Sequence, residues 1–324
     1  MALSGGIDLG GTKIQAAVIE ADGTVAGQSR RPTPTTGGPA DVVEEIAGAL
    51  REAAAEAGIE TSSLDGIGVG SPGVVDDDAG TVSGARNLPD WEGSFDVRAA
   101  LEHACGTRVS LGNDVQVATD AEFAFGAGRA YSSLLGVFWG TGVGGGIVLD
   151  GRPWIGRDAA GEIGHVVVRQ GGALCGCGRR GCMEAYAGRA AMEARARRRY
   201  QRGEKTVLFK IMKERGRTRL TSGVWARALD KGDPVAHNLL DRAVLALGAG
   251  VASAQNLLDV EAIVIGGGLG IRLGQPYVDR IRKAMMPHLF NDESPPAIEL
   301  AALGDLGGAI GASLLVRAAA PASG

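Results

Sequence analysis

The sequence predicts an α/β fold built from two related halves. Three observations carry that expectation. The opening pattern of strand, glycine turn, strand and Asp-Gly turn, "GIDLGGTKIQAAVIEADG" (6–23), returns in altered form as "GVFWGTGVGGGIVLDG" (136–151), a weak internal repeat. Segments with helical periodicity separate the later strands. The 53 glycines fall in clusters rather than in a low-complexity tract, as expected where backbone turns tightly or approaches a ligand closely. At 324 residues the chain has room for one large domain or two.

Taken in order, GIDLG, TKIQAAVIE and VAGQSR read as three strands, with Asp22-Gly23 as a hairpin turn. Pro39 and Asp41 then open a helix that carries Val43, Ala47, Leu50, Ala54 and Ala57 on one face, and Gly58 stops it. "GIGVGSPGV" (66–74) reads as a buried strand entering a loop. "RVSLGNDVQVATDAEFAFG" (108–126) places a strand ahead of Asn113-Asp114 and a helix behind them. Residues 134–151 repeat the opening hairpin. "EAIVIGGGLG" (261–270) supplies a strand and a third glycine turn, and "LGDLGGAIGASLLVRAA" (303–319) a loop and a last helix.

Composition narrows the function classes. Hydrophobic content of 45% and charged content of 22% suit a soluble globular protein. A net charge of −4 argues against a general nucleic-acid binder. The N-terminus lacks a basic segment followed by an apolar core, and no run of 18 apolar residues occurs, so neither a secretory signal nor a membrane span is expected. That points to the cytoplasm, where clustered cysteines bind metal more often than they form disulfides. Residues 195–219 hold 11 of the 33 Lys and Arg against two Glu. They read as a solvated helical face in preference to a docking surface for an anionic partner.

The glycine turns differ in what they can bind. Gly140 to Gly145 contains a formal G-x-G-x-x-G, but a strand follows it where a dinucleotide site needs a helix N-terminus. No P-loop motif occurs either. A glycine turn between antiparallel strands still binds phosphate when successive N–H groups face one concavity. Asp8, Gly10, Gly11, Thr12 and Lys13 add a carboxylate, a hydroxyl and an ammonium to such a turn, with echoes at Thr141 and Gly142 and at Gly267 and Gly268.

The most informative segment is "EIGHVVVRQGGALCGCGRRGCMEAY" (162–186), which holds three of the four cysteines. His165, Cys175, Cys177 and Cys182 offer four N/S ligands around a glycine-rich loop, a set that suits a closed tetrahedral structural Zn2+. The alternatives are buried free thiols or a disulfide, for which C-x-C has poor local geometry. Such a zinc contributes about 10–16 kcal/mol of apparent binding energy in small metal-folded domains. It would clamp Glu162, three residues before the histidine, and Glu184, two after the last cysteine.

These residues together resemble the ROK family of sugar kinases, in the hexokinase–actin superfamily, from Gly6 to about Ala319. "GEIGH…CGCGRRGCMEAY" is similar to that family's zinc and sugar signature, "DLGGTK" and "GTGVGGGIVLDG" to its two phosphate motifs, "IGGGLG" to its adenosine motif and "GND" to its catalytic segment. The resemblance implies a two-domain, actin-like (ribonuclease H-like) fold with an interdomain cleft. Residues 1–115 would form a small α/β domain, with a C-terminal helix at about 305–320 packing back on it, and 116–304 a large α/β domain containing the zinc loop. It implies a hexokinase-type phosphotransferase that uses ATP and Mg2+ on the 6-hydroxyl of a hexose substrate, in a homodimer or homotetramer.

Carried over by residue, Asp114 would be the general base, with helix N-capping as its alternative role. Asn87, Asn113, Glu162, His165 and Glu184 would bind sugar hydroxyls. Asp8 would lie near the magnesium, Gly10, Gly11, Thr12, Lys13, Thr141 and Gly142 along the phosphates, and Gly267 and Gly268 at the nucleotide. Val115-Gln116 depart from the small residues usual after the family's Asn-Asp pair. "GSPG", "NLPDW" and "GND" are similar to glucokinase-type members, which implies glucose. Fructose, mannose, allose or an N-acetylhexosamine, and polyphosphate as donor, are the alternatives. A family repressor would need a helix-turn-helix ahead of Asp8, and a sugar sensor would bind without turnover.

Overall fold

The opening hairpin forms as its alternation requires: β1 (Ser4–Leu9), β2 (Lys13–Ile19) and β3 (Val25–Pro32) pair antiparallel in sequence. The computed structural model describes residues 2–85, 88–157 and 159–318. Helix α1 (Pro39–Glu56) follows, with Val43, Ala47, Leu50 and Ala54 buried, and the chain leaves it through Gly58 at φ +74°. Then come β4 (Ile67–Ser71), β5 (Val74–Asp76), β6 (Thr81–Ser83), β7 (Ser94–Asp96), α2 (Val97–Cys105), β8 (Val109–Asn113) and α3 (Asp114–Phe125). Strands β5 to β7 make a small antiparallel sheet of their own, beyond the strand and loop expected at 66–74.

The main sheet of this first unit runs β3-β2-β1-β4-β8, with β1, β4 and β8 parallel. Side chains alternate across β1. Ile7 and Leu9 join the core with Ile46 and Leu50 of α1. Gly6 faces the other way, onto the C-terminal helix Gly307–Ala318, where a methyl group would collide with the Ala309 carbonyl. Gly68 on β4 stands in the same relation to the Ala312 carbonyl, and Gly311 of the helix to the Val117 carbonyl of α3. These glycines bring the helix backbone closer to the strands and to α3 than any side chain permits. Because α3 packs on the C-terminal helix, the first unit runs through α3 to Arg129, past the expected limit at residue 115. It comprises Met1–Arg129, Ile155–Asp158 and Ala302–Gly324.

The second unit, Ala130–Trp154 and Ala159–Ala301, repeats the pattern. Strands β9 (Leu134–Trp139), β10 (Val143–Leu149) and β11 (Arg152–Pro153) are antiparallel. Later in the chain come α4 (Glu184–Ala187), α5 (Arg189–Gln201), α6 (Leu208–Glu214), α7 (Ser222–Asp230), α8 (Pro234–Leu258), β12 (Ala262–Gly266), α9 (Gly267–Leu273), α10 (Gln275–Met285) and β13 (Ala297–Leu300). The sheet order is β11-β10-β9-β12-β13, with β9, β12 and β13 parallel. Position for position this is the topology of the first sheet, so the weak internal repeat is a duplicated α/β unit. Trp139, Trp225, Leu240 and Leu247 lie in its core.

The basic stretch is less solvated than its composition suggested. Arg195 stacks 4.8 Å from the Tyr186 ring centroid and Arg197 lies 5.4 Å from that of Phe209. Arg197 and Arg219 both bind the buried Glu193, at 2.6 and 3.1 Å. Arg199 pairs with Glu204 and donates to Asn238. The remaining cations of the stretch, such as Arg198, Lys205 and Lys210, are exposed as a solvated face should be.

Candidate functional site

In the first unit the parallel strands gather the chemistry at one end of the sheet. Asp8, Gly70 and Gly112 are register partners across β1, β4 and β8. That sets the Gly10–Thr12 turn and the Asn113-Asp114 pair at the carboxyl edge, where α/β sheets bind ligands. Gly10 N donates to Lys13 O at 2.9 Å and Thr33 Oγ1 donates to Gly10 O at 2.5 Å, which fixes the turn while Gly11 and Thr12 stay exposed.

Lys13 Nζ lies 3.9 Å from Asp8 Oδ2 and 3.7 Å from Asp305 Oδ1. Burial pushes the Asp8 carboxyl above its ordinary value, Lys13 pulls it down and Asp305 pushes it up again. Gly308 explains how the C-terminal helix reaches this carboxylate, since a side chain there would stand 2.7 Å from Asp8 Cγ.

Asn113 takes the role foreseen as the alternative for Asp114. It is the N-cap of α3, and its Oδ1 accepts from Val115 N at 3.0 Å and Gln116 N at 3.1 Å. Asp114 is the first residue of the helix, and its Oδ1 accepts from Val115 N at 3.0 Å. The unusual Gln116 donates through Nε2 to Asp120 Oδ1 at 2.7 Å. Burial raises the Asp120 carboxyl to about 7 despite that hydrogen bond. Asn87 lies outside the described residues.

Further along α3, the buried Glu122 accepts from Ala127 N, Ala302 N and Leu303 N at 2.9, 3.0 and 2.9 Å. It thereby anchors the segment that brings Asp305 and Gly308 to Asp8. Sequence reasoning missed it, and no local signal links residues 180 positions apart.

The second unit holds a cluster of side chains that could bind a metal ion. The ligand atoms of His165, Cys175, Cys177 and Cys182 all lie within 4.8 Å of one another. His165 Nδ1 is 3.8 Å from Cys175 Sγ, and Cys177 Sγ is 3.8 Å from Cys182 Sγ. A tetrahedral ion with ordinary Zn–S and Zn–N bonds has edges of about 3.8 Å between sulfurs and about 3.6 Å between nitrogen and sulfur. The sulfur–sulfur distance of 3.8 Å equals the first figure and the nitrogen–sulfur distance of 3.8 Å lies close to the second, and all the cysteines are free thiols. Burial pushes Cys175 up to about 12, while a backbone N–H at Arg179 brings Cys177 down to about 7. Positive φ at Gly171, Gly178 and Gly181 lets the loop fold back on itself.

The flanking acids are placed by this loop. Glu162 Oε2 lies 3.8 Å from His165 Nε2, while the other ring nitrogen, Nδ1, is the one near Cys175. Glu184 Oε1 is 3.6 Å from Cys175 Sγ, and its Oε2 accepts from Val143 N at 3.0 Å. A side chain on Gly142 would strike that carboxylate. The metal loop, Glu184 and the second glycine turn therefore form one continuous structure. The turn itself is closed by Gly140 N donating to Gly142 O at 3.0 Å, and β10 follows it, as the rejection of a dinucleotide motif required.

Gly266 to Gly268, expected as a third turn, are instead a strand-to-helix junction. Gly267 and Gly268 open α9, and Gly267 sits at φ +78° against the backbone of Trp139. Arg189, at the start of α5, was also missed. Its Nη2 donates to Thr141 Oγ1 at 2.6 Å, and the basic run beside it masked any signal.

Comparison with known proteins agrees with this geometry. The model of the ROK family matches residues 4–319. Glucokinase of Thermotoga maritima is 34% identical over 76% of this chain and 76% of its own. An N-acetylgalactosamine kinase of Shewanella is 31% identical over 96% of this chain and 95% of its own. A ROK family glucokinase from Streptomyces griseus, solved in complex with glucose and AMPPNP, superimposes with a TM-score of 0.83 at 32% identity, covering 98% of this chain and 100% of that one. The duplicated sheets, the cysteine-histidine loop and a family match across nearly the whole length lead to one conclusion: this chain belongs to the ROK family.

Proposed function

We propose that this ROK sugar kinase transfers the γ-phosphoryl group of ATP to the 6-hydroxyl of a hexose, and that the hexose is glucose. The observation that carries the reading is the continuity of the second unit's site, in which one carboxylate, Glu184, touches both the glycine turn at Val143 and the cysteine cluster at Cys175. A site that ties a phosphate turn to a clamped acid is built to fix a hydroxyl-bearing acceptor near a phosphoryl donor, and positioning is most of what phosphoryl transfer requires.

The donor set of His165, Cys175, Cys177 and Cys182 fits zinc, which when bound would order the loop and keep the thiols ionised. A metal-bound thiolate has no proton to donate, so the Cys175 contact to Glu184 would lapse and free Oε1 to accept from a sugar hydroxyl. Glu162 would take a neighbouring hydroxyl and His165 would orient it through Nε2. In the first unit Asn113 Oδ1 is occupied by two backbone N–H groups, so Asn113 would meet the sugar through its Nδ2 donors. Asp114 would accept the 6-hydroxyl proton as the new P–O bond forms. Asp8, beside Lys13, would hold the water shell of Mg2+, whose charge offsets that of the donor phosphates. Gly10, Gly11, Thr12, Thr141 and Gly142 would line those phosphates, with Gly267 and Gly268 at the nucleotide.

Glucose is favoured because the Thermotoga maritima and Streptomyces griseus relatives are glucokinases. The Shewanella relative keeps an N-acetylhexosamine as the second reading. A panel of hexoses and N-acetylhexosamines against ATP and polyphosphate, read as sugar-dependent phosphate transfer, decides between them. The Asp114→Asn variant should lose about 10²–10⁴ in turnover while still binding sugar. Equal turnover in that variant removes Asp114 as the base.

A further inference from the structure

Arg189 carries an arrangement that the roles above leave unused. Its Nη2 donates to Thr141 Oγ1 at 2.6 Å and its Nη1 to Leu220 O at 2.9 Å. Its backbone N donates to Gly140 O at 3.1 Å, and Ala190 N donates to Thr141 O at 3.0 Å. One residue and its neighbour therefore grip the second glycine turn by main chain and side chain together. The Nε atom is buried without a hydrogen-bond partner.

The charge is also uncompensated. Burial lowers the guanidinium's affinity for its proton and nearby Glu193 raises it, yet arginine keeps its charge under all ordinary conditions. The oxygens of Glu193 are already taken, Oε1 by Arg197 and Oε2 by Arg219 Nε and Leu220 N. Among the described residues no carboxylate lies within ion-pair distance of Arg189. A partly buried guanidinium held against a glycine turn, with no acid to neutralise it, favours negative charge arriving nearby.

We infer that Arg189 is a positioning residue for the phosphoryl donor, acting through Thr141. A hydroxyl has one hydrogen to give and two lone pairs to receive. Arg189 fills one lone pair with a charge-assisted bond, which turns the Thr141 hydrogen outward as a donor to a phosphate oxygen. The fork geometry matters as well as the charge, because the second arm fixes the guanidinium plane on Leu220 O. The inference rests on the kinase reading, since it is the phosphates of the donor that Thr141 meets.

The test measures nucleotide and sugar separately. Binding of AMPPNP without sugar is titrated calorimetrically for the full chain and for Arg189→Gln, Arg189→Lys, Thr141→Val and the double variant Arg189→Gln with Thr141→Val. Glucose binding is followed by tryptophan fluorescence. Arg189→Gln should weaken AMPPNP about tenfold or more and raise KM for ATP in step, with glucose binding unchanged. Arg189→Lys should recover part of the loss. The double variant should be no worse than the weaker single one, because the two residues act as a unit. Unchanged nucleotide affinity, equal losses for sugar and nucleotide, or effects that multiply in the double variant would each overturn the assignment. If Arg189→Gln does not fold, the Arg189→Lys titration decides alone: wild-type affinity in that variant overturns the role of the fork. A wild-type chain that binds AMPPNP but phosphorylates no sugar sinks the kinase reading, and the titrations still decide the role of Arg189.

Discussion

Replacing Glu122 by Gln removes one charge and one acceptor from the first unit without changing its shape. The carboxylate is 2% exposed and serves three backbone N–H groups: Ala127 and Ala302 on Oε2, and Leu303 on Oε1. An amide has a single oxygen. Its best orientation keeps Ala127 and Ala302 as neutral bonds and turns its NH2 toward the Leu303 N–H. Two bonds fall from charge-assisted to neutral, and one buried N–H loses its acceptor, at about 1–3 kcal/mol for the orphan alone. Relief from burying the charge returns part of this, which leaves a net loss of about 3 kcal/mol. In a unit of this size each kcal/mol moves the midpoint by about 2–4 °C, so scanning calorimetry should show a fall of about 6–12 °C in the first unit's transition. Hydrogen exchange at Ala302 and Leu303 should accelerate ahead of the rest of the sheet. KM for ATP should rise, because the loosened segment carries Asp305 and Gly308 to Asp8. A midpoint within about 2 °C of wild type, with exchange at those amides unchanged, refutes the claim that this carboxylate holds the returning chain.

Two further outcomes are expected. Metal analysis should find about one zinc per chain, and Cys177→Ser should lose both zinc and sugar affinity; a chain fully active with no zinc overturns the clamp. Asp120, raised to about 7 by burial, keeps its proton in the folded state over a range where the unfolded chain, near 3.8, has released it. The folded state then binds more protons, so wild-type stability should fall as pH rises from about 4 to about 7 and level off above that. Asp120→Asn should flatten that slope and be more stable than wild type at pH 8, by about 1–2 kcal/mol after allowance for solvent screening, and no more stable at pH 4. Parallel denaturation curves at the two pH values would show that Asp120 ionises normally.

The parts of the fold legible in the sequence were those fixed by neighbours along the chain. Both hairpins, α1 with its glycine stop and the strand–helix step at Asn113-Asp114 follow from turn chemistry and periodicity alone. The three-residue strands β5, β6 and β7 are too short to show alternation, so no pattern marks them in the sequence. Gly266 to Gly268 read as a turn because glycines look alike in sequence, whether they reverse a hairpin or open a helix. The cysteine cluster was legible because its ligand types and spacing are chemically specific. Glu122 and Arg189 were not, since their partners are distant in sequence and their own neighbourhoods look ordinary. Between Asn113 and Asp114 the sequence could not say which side chain caps the helix. Backbone angles of −68° and 136° at Asn113 settle it.

The duplicated sheets also explain why the two glycine turns are not interchangeable. Each closes a β-hairpin of the same topology and each has a cation against it, Lys13 on the first turn and Arg189 against the second. Around Lys13 stand two carboxylates, Asp8 and Asp305, and Arg30 pairs with Asp305 at 3.5 Å, so cations and carboxylates balance in that cluster. Around Arg189 the one near acid, Glu193, is spent on Arg197 and Arg219. Carboxylates already balanced by cations leave no spare positive charge for a bare phosphate, and their oxygens suit one that arrives with a hydrated divalent cation. A turn whose threonine is held by an unneutralised guanidinium suits the phosphate oxygens without a metal between them. On the proposed roles, two hairpins of one topology differ in their side chains, the first suited to the hydrated metal and the second to the phosphate. On this argument Asp305→Asn should lower the magnesium dependence of nucleotide binding while Arg189→Gln leaves that dependence intact. An identical magnesium profile in both variants would mean the turns had not specialised.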